Sequence, residues 1–433
     1  MAELSADAAW NYVYCQGWNR DLQRFVGLLD SDTACARNEA GEQYSVTLLR
    51  GGVPRVVIDI AWSAHYLGVW TLDEALRRDS HVDYRRLRAE QLFPVRERVW
   101  RYAEGQRDGD DDVWEQEVSR KANGWMSTSK RPRGRLGGSS RTAGQEDDTD
   151  IWREVPVFGD WRWALPDKEA GPVGTAAEHT GEYEAVSAGS PWRPPTPYRN
   201  LYLDDLMLEG ATVLMEGAQP RVVAHRLRGM VDMPTGQVIT CEPRWLDYSE
   251  PFTDTIEPGR YEVHDVLLTD PDSESDWWPR AGFLLRVSEA PVVSWEMALR
   301  AGEDPRTLSD GDFYGFSGSQ GCFVDAEPLR TADHQINADR GREQSYALRK
   351  WARMAKRGEL HEHPHSQWSD ALERGLDDRD GIRLPGTNFN MIAYNCYYPD
   401  GSYPTWIGRA TDGAIVCFLT DMRTTHPVIA TDH

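Results

Sequence analysis

Long hydrophobic runs are missing from this sequence. No apolar stretch in its 433 residues approaches the length needed to cross a bilayer, so no transmembrane helix is expected. The opening segment, Met1 to Tyr14, lacks a basic patch followed by an apolar core, so a secretory signal is not expected either. Cysteine is sparse. Cys15, Cys35, Cys241, Cys322, Cys396 and Cys417 are scattered, and none forms Cys-x-x-Cys. That spacing excludes a zinc knuckle and a dithiol redox motif. Several lie inside apolar runs, where cysteine behaves as a small hydrophobe. Reduced thiols in a cytoplasmic protein are the expectation. Positive charge is also short: 48 Lys and Arg stand against 70 Asp and Glu, for a net charge of −22. An acidic surface repels phosphate backbones and anionic lipids, so neither nucleic acid nor membrane is an expected partner. The same charge steers a basic protein towards it.

Tryptophan, by contrast, is abundant at 18 residues. Most indoles anchor cores, and an excess also supplies binding hot spots. The chain is long enough for two or three domains. Residues 1–102 read as a small α+β module. A helix is expected within Ala8–Leu29, where Trp10, Val13, Trp18, Leu22, Phe25 and Leu28 share roughly one face. Strands are expected at Tyr44–Leu49, Val56–Trp62 and Tyr66–Leu72. Residues 103–150 hold Asp108 to Asp112, the basic run Lys130 to Arg135 and few apolar residues. Such a stretch buries too little surface to offset its ordering entropy, so a disordered charged linker is expected, with a short helical turn at Val113–Val118. Ile151 to Leu165 turns aromatic again and is expected to pack on the first module. Residues 166–199, rich in Pro, Gly, Ala and Ser, read as a second linker.

From about Asn200 the pattern is strand-rich. Short candidate strands at Thr212–Met215, Val222–Leu227, Gln237–Cys241, Gly259–Leu268, Gly282–Val287, Val292–Met297, Phe313–Phe316 and Cys322–Val324 indicate a sandwich or bent antiparallel sheet. Helices are expected at Glu343–Glu359 and over 367–376. The strongest local signal is at the end. Asp400-Gly401 and Asp412-Gly413 punctuate three aromatic and β-branched runs, about 389–398, 403–409 and 414–420, which read as a three-stranded meander. The overall expectation is an α+β, β-rich protein: an N-terminal module, two linkers, and a mostly antiparallel domain over 200–433 with a few helices.

Several motifs occur in order in that second half: Pro234-Thr235-Gly236, Cys241-Glu242-Pro243, Pro258-Gly259-Arg260-Tyr261, Val292 to Glu296, Gly321 to Asp325, and Asp400-Gly401-Ser402-Tyr403-Pro404 followed by Gly408, Asp412-Gly413 and Asp421. Together they resemble the bacterial DUF4241 family, a domain of unknown function, over roughly 210–425. The resemblance implies no established activity. The sequence departs from the family pattern at Tyr397-Tyr398-Pro399, at Ser317 and Ser319, and at Met422.

Three constellations offer chemistry. Asp325, Asp400, Asp412 and Asp421 all flank strand ends, and carboxylates meeting at one sheet edge would bind a divalent metal or act as an acid and base pair. Asp before Gly is also what a tight turn needs, which explains Asp400 and Asp412 without a site. His361-Glu362-His363-Pro364-His365 matches the letters of a zinc-protease motif, but Pro364 breaks the helix that motif requires. In an extended segment His361, His363 and His365 lie on one side and offer at most a loose metal site. Two serine and glycine motifs, Gly315 to Ser319 and Gly318 to Gly321, lack the residues of a nucleophile elbow and a phosphate loop. The third constellation is aromatic: Trp277, Trp278, Tyr398, Tyr403 and Trp406. Trp277 and Trp278 follow an acidic stretch, Asp270 to Asp276. An indole on an acidic loop anchors a basic protein while the acids guide encounter.

The reading is a non-enzymatic, acidic protein-binding module, immunity- or chaperone-like, with a basic protein partner and no cofactor. One alternative is a metal-dependent hydrolase or lyase using the four aspartates and a divalent metal. Another is a structural component of a larger assembly.

Overall fold

The computed structural model describes residues 10–122, 124–131, 140–145, 151–165, 173–176, 183–184, 190–215, 219–270, 278–327, 381–383, 390–398 and 401–425. The chain is strand-rich with mainly antiparallel sheets. It divides into two compact units, one of residues 1–197 with Arg306–Gly311, the other of Tyr198–Pro305 with 312–433. No helix among the described residues is long and apolar enough to cross a membrane. The helices expected at 343–359 and 367–376, and the histidines 361, 363 and 365, lie outside the described residues.

The first unit is built on one large sheet. Its elements are β1 (Trp10–Asn19), β2 (Arg24–Leu29), α1 (Ser31–Ala40), β3 (Tyr44–Arg50), β4 (Val53–Ala61), β5 (Tyr66–Leu72), β6 (Arg78–Arg88), β7 (Gln91–Arg101), β8 (Trp114–Arg120), β9 (Trp125–Arg131), β10 (Ser140–Gln145), β11 (Arg153–Glu154), β12 (Val173–Ala176) and β13 (Tyr183–Glu184). The main path runs β10-β9-β8-β7-β6-β5-β4-β3-β1-β2-β13. Helix α1 starts where the Asp30 carboxylate accepts from the Thr33 N–H at 2.7 Å. It stops at Gly41, which takes the left-handed conformation that ends helices.

Two expectations fail here. From Trp10 to Leu29 the chain forms the β1–β2 pair, not a helix. Both faces of β1 are covered: Trp10 and Tyr14 join one core, and Val13, Cys15 and Trp18 join another. Aromatics on both sides of a strand imitate helical spacing. Residues 103–150 are not simply a linker, because β8 and β9 extend the sheet, and β8 replaces the helical turn expected at 113–118. These strands bury little. Backbone ladders and cross-strand charges hold them instead, with Glu117 3.8 Å from both Arg96 and Arg98, and Arg120 3.4 Å from Glu97. Each such pair is worth less than about 1 kcal/mol, but together they fix the register.

One face of the sheet is apolar. Tyr44, Val46 and Leu48 of β3, Val56, Ile58 and Ile60 of β4, and Leu67 and Val69 of β5 pack with Trp161, Ala164 and Leu165. Residues 151–165 therefore cover this face, with Phe158 stacked on Tyr14 at 5.3 Å.

The second unit comprises α2 (Leu203–Met207), β14 (Thr212–Met215), β15 (Gln219–Met233), β16 (Val238–Cys241), β17 (Gly259–Thr269), β18 (Arg280–Arg286), β19 (Ser294–Met297), β20 (Gly315–Gly318), β21 (Gln320–Asp325), β22 (Ile382–Arg383), β23 (Asn390–Asn395), β24 (Gly401–Arg409) and β25 (Ile415–Asp421). One sheet runs β14-β15-β17-β18-β25-β24-β19, with β20 beside β24. The other runs β16-β21-β23-β22. They share one core, in which Phe283 and Phe418 of the first sheet meet Phe323 and Tyr394 of the second. The Phe283 and Tyr394 rings stack at 3.7 Å.

The expected meander is not a meander. β24 and β25 pair as a hairpin, but β23 pairs with β21 and β22 in the other sheet. Asp412-Gly413 is the turn of the β24–β25 hairpin: Gly413 has φ 84°, and Asp412 accepts from the Ala414 N–H at 3.0 Å. Gly401 is the first residue of β24. Its hydrogen side chain answers the Tyr403 hydroxyl, which a Cβ would approach to 2.1 Å.

Candidate functional site

Among the described residues, Asp325, Asp412 and Asp421 are not gathered into one metal-holding group. Asp325 is buried at the end of β21, and its oxygens accept from the Thr235 N–H at 3.0 Å, the Thr235 hydroxyl at 2.7 Å and the Glu327 N–H at 2.8 Å. Asp421 is buried at the end of β25. It accepts from the Tyr198 hydroxyl at 2.9 Å and the Arg423 N–H at 2.7 Å. Burial raises the Asp421 pKa, and these donors oppose the rise. Asp325 thus ties the Thr235 turn to the loop that follows β21, and Asp421 ties Tyr198 to the loop that follows β25. Asp412 is exposed in its turn, and Asp400 lies outside the described residues. Among the described residues no group of three or more His, Cys, Asp or Glu is placed to hold a metal ion.

The aromatic set also separates. Tyr403 and Trp406 are buried, at 1% and 5% exposure, so they are core residues and not surface anchors. Tyr403 faces the shared core of the two sheets, whereas Trp406, on the other face of β24, packs near Tyr198 with ring centres 6.3 Å apart. Trp278 is half-buried, and Trp277 lies outside the described residues. Tyr398 is exposed, with Tyr397 edge-on to it at 4.7 Å. Sequence reasoning missed Trp245, which is 52% exposed in the short 3-10 turn Pro243–Tyr248. Its N–H donates to the Glu242 carbonyl at 2.8 Å. The Glu242 carboxylate lies over Gly318, where a Cβ would come within 2.2 Å of it. Gly315 and Gly321 are likewise pressed by the Tyr403 carbonyl and the Tyr394 ring. The glycines of the discounted serine motifs are therefore packing residues.

Residues 231–420 match the family model for DUF4241, a protein of unknown function. The match takes in Asp325, Asp412, Trp245, Tyr398, Tyr403 and Trp406. It stops one residue short of Asp421. No family model matches the N-terminal half. The comparisons with curated proteins and with solved structures find no match.

The densest chemistry lies outside the DUF4241 segment, on the second face of the first unit's sheet. Alternation along β6 puts His81, Asp83 and Arg85 on one side, and all three are buried. Asp59 of β4 is opposite Gly68 of β5, which in turn is opposite Asp83. Gly68 leaves room that a Cβ would take from the Tyr66 hydroxyl, 2.2 Å away. His81 stacks on Trp70 at 3.5 Å, and the Arg20 guanidinium is also 3.5 Å from that ring's centre. Two groups so close must occupy opposite faces of the indole. Asp59 accepts from the Ser45 hydroxyl at 2.7 Å and from Trp70 Nε1 at 3.1 Å.

Burial dominates the electrostatics. It pushes the Asp59 carboxyl up to about 6, against the pull of Ser45, Arg20 and Trp70. It holds His81 well below the usual imidazole range, helped by the neighbouring Arg98 and Arg20 charges. His81 Nε2 lies 3.4 Å from Asp83 Oδ1. A perturbed carboxylate and histidine resemble acid–base machinery. Access decides otherwise. The adjoining cleft, about 460 Å³, is lined by Trp18, Arg20, Asp59, Trp70 and Trp192, among others, but not by His81, Asp83 or Arg85. The cleft therefore presents indoles, the Arg20 guanidinium and the Asp21 and Asp59 carboxyls, while His81 stays behind its wall.

Proposed function

We propose that this chain is a non-enzymatic binding protein whose partner is a basic protein in the cytoplasm. The observation that carries the reading is Trp245, an indole half in solvent, one turn from Glu242 and close in sequence to Glu250, on a chain of net charge −22. An exposed indole is the side chain most able to anchor an interface, and surrounding acids speed encounter with a basic surface. Six free thiols agree with a reducing compartment. The hydrolase reading gains nothing from Asp325 and Asp421, whose oxygens already accept hydrogen bonds from Thr235 and Arg423. A pull-down from host extract with the full chain tests the proposal. It predicts a complex recovered at low salt and lost at high salt. Recovery of no protein at low salt would overturn it.

A further inference from the structure

The cleft of the first unit has unmet donors, and this observation is independent of the surface around Trp245. Trp18 is 7% exposed, and its Nε1–H has no hydrogen-bond partner. Trp18 lines the cleft. So does Arg20, whose guanidinium is held by stacking on Trp70 and by the field of Asp59. Neither restraint supplies an acceptor to its N–H fork. The other two indole N–H groups of the wall are occupied. Trp70 Nε1 donates to Asp59. Trp192 Nε1 donates to the Ser45 hydroxyl at 2.7 Å and the Gln16 carbonyl at 3.1 Å. A buried donor without an acceptor is unfavourable, so an arriving acceptor is favoured.

The rest of the wall defines the body of the ligand. Val57, Leu72, Pro191 and the indoles of Trp18, Trp70 and Trp192 give apolar, flat surfaces. Asp59 and Asp21 also line the cleft, so a single negative charge is tolerated better than two. Pro191 and Trp192 are seated against Gly17, where a Cβ would come within 2.5 Å of the proline ring. The wall is therefore built into the fold.

We infer that this cleft binds a small organic monocarboxylate with a flat apolar body, its carboxylate taken by the Arg20 guanidinium and the Trp18 indole N–H. A guanidinium fork matches a carboxylate with two parallel bonds, and a cleft of about 460 Å³ is of small-ligand size.

Calorimetric titration of the full chain with 3-phenylpropionate tests this, alongside 3-phenylpropionamide, inorganic phosphate and methylguanidinium. Saturable binding of the acid is expected, with the amide and phosphate at least tenfold weaker. Arg20→Gln should weaken the acid about tenfold to a hundredfold, and Trp18→Phe, which keeps a ring but removes the donor, about three- to tenfold. The indole N–H resonance of Trp18 should shift as wild type is titrated, a readout that needs no variant to fold. Equal affinity for acid and amide, preference for methylguanidinium, a stationary Trp18 resonance, or no saturable binding would each overturn the inference.

Discussion

Replacing Asp59 with asparagine should remove a specific slope from the pH dependence of stability. The carboxyl is fully buried, and burial lifts it from 3.8 to about 6. A carboxyl with a raised folded-state pKa holds its proton more tightly when folded. Its stabilising contribution is complete below the unfolded value, about 3.8, and is lost as pH rises through about 6. The gap of roughly two units is worth about 3 kcal/mol. The asparagine side chain carries no such charge and can keep a hydrogen bond to the Ser45 hydroxyl, which then accepts. A cost that does not depend on the carboxyl's charge, such as altered packing, is the same at every pH, and the attraction to Arg20 is already contained in the shifted pKa. The assay is urea unfolding of the full chain at intervals from pH 4 to pH 7.5. The variant should gain about 3 kcal/mol on wild type across that range. Parallel curves would refute the account of Asp59 as a buried, penalised carboxyl.

Two glycines of positive φ separate strain from space. Gly413→Ala meets nothing within 4 Å and should cost about 1 kcal/mol, whereas Gly236→Ala places a Cβ 1.8 Å from the Ile256 carbonyl and should cost several times that in a thermal melt. Asp421→Ala leaves the Tyr198 hydroxyl and the Arg423 N–H without their acceptor and should cost about 3–5 kcal/mol. Millimolar Ca²⁺ or Mg²⁺ should leave the wild-type melting temperature unchanged, since Asp325, Asp412 and Asp421 already accept hydrogen bonds from Thr235, Ala414 and Arg423. Trp245→Ala should change stability by less than about 0.5 kcal/mol, as an exposed substitution, while reducing partner capture.

Strands were legible where one face is apolar and a turn residue marks the end, as at Ala414 to Leu419 and the Asp412-Gly413 hairpin. Strand partners were not. β23 and β24 are neighbours in sequence, yet they sit in different sheets, because pairing is decided by a shared core that local pattern does not encode. β1 was misread because a strand covered on both faces has aromatics at spacings that also suit a helix. β8 was missed because its charges, which signal solvent in isolation, find partners on β7. The same ambiguity hid the polar cluster. His81, Asp83 and Arg85 alternate with Val82 and Tyr84, a pattern that reads as an exposed face until Trp70 and Arg20 are seen to cover it. The sign available in sequence was Asp59, a lone carboxylate in the apolar run Val56 to Ala61.

Capture of a partner by the full chain, with wild type and Trp245→Ala side by side at low and high salt, tests the central claim most directly. The account predicts one basic protein enriched on wild type at low salt, released at high salt and depleted on the variant. Equal capture by both proteins, indifferent to salt, would contradict it.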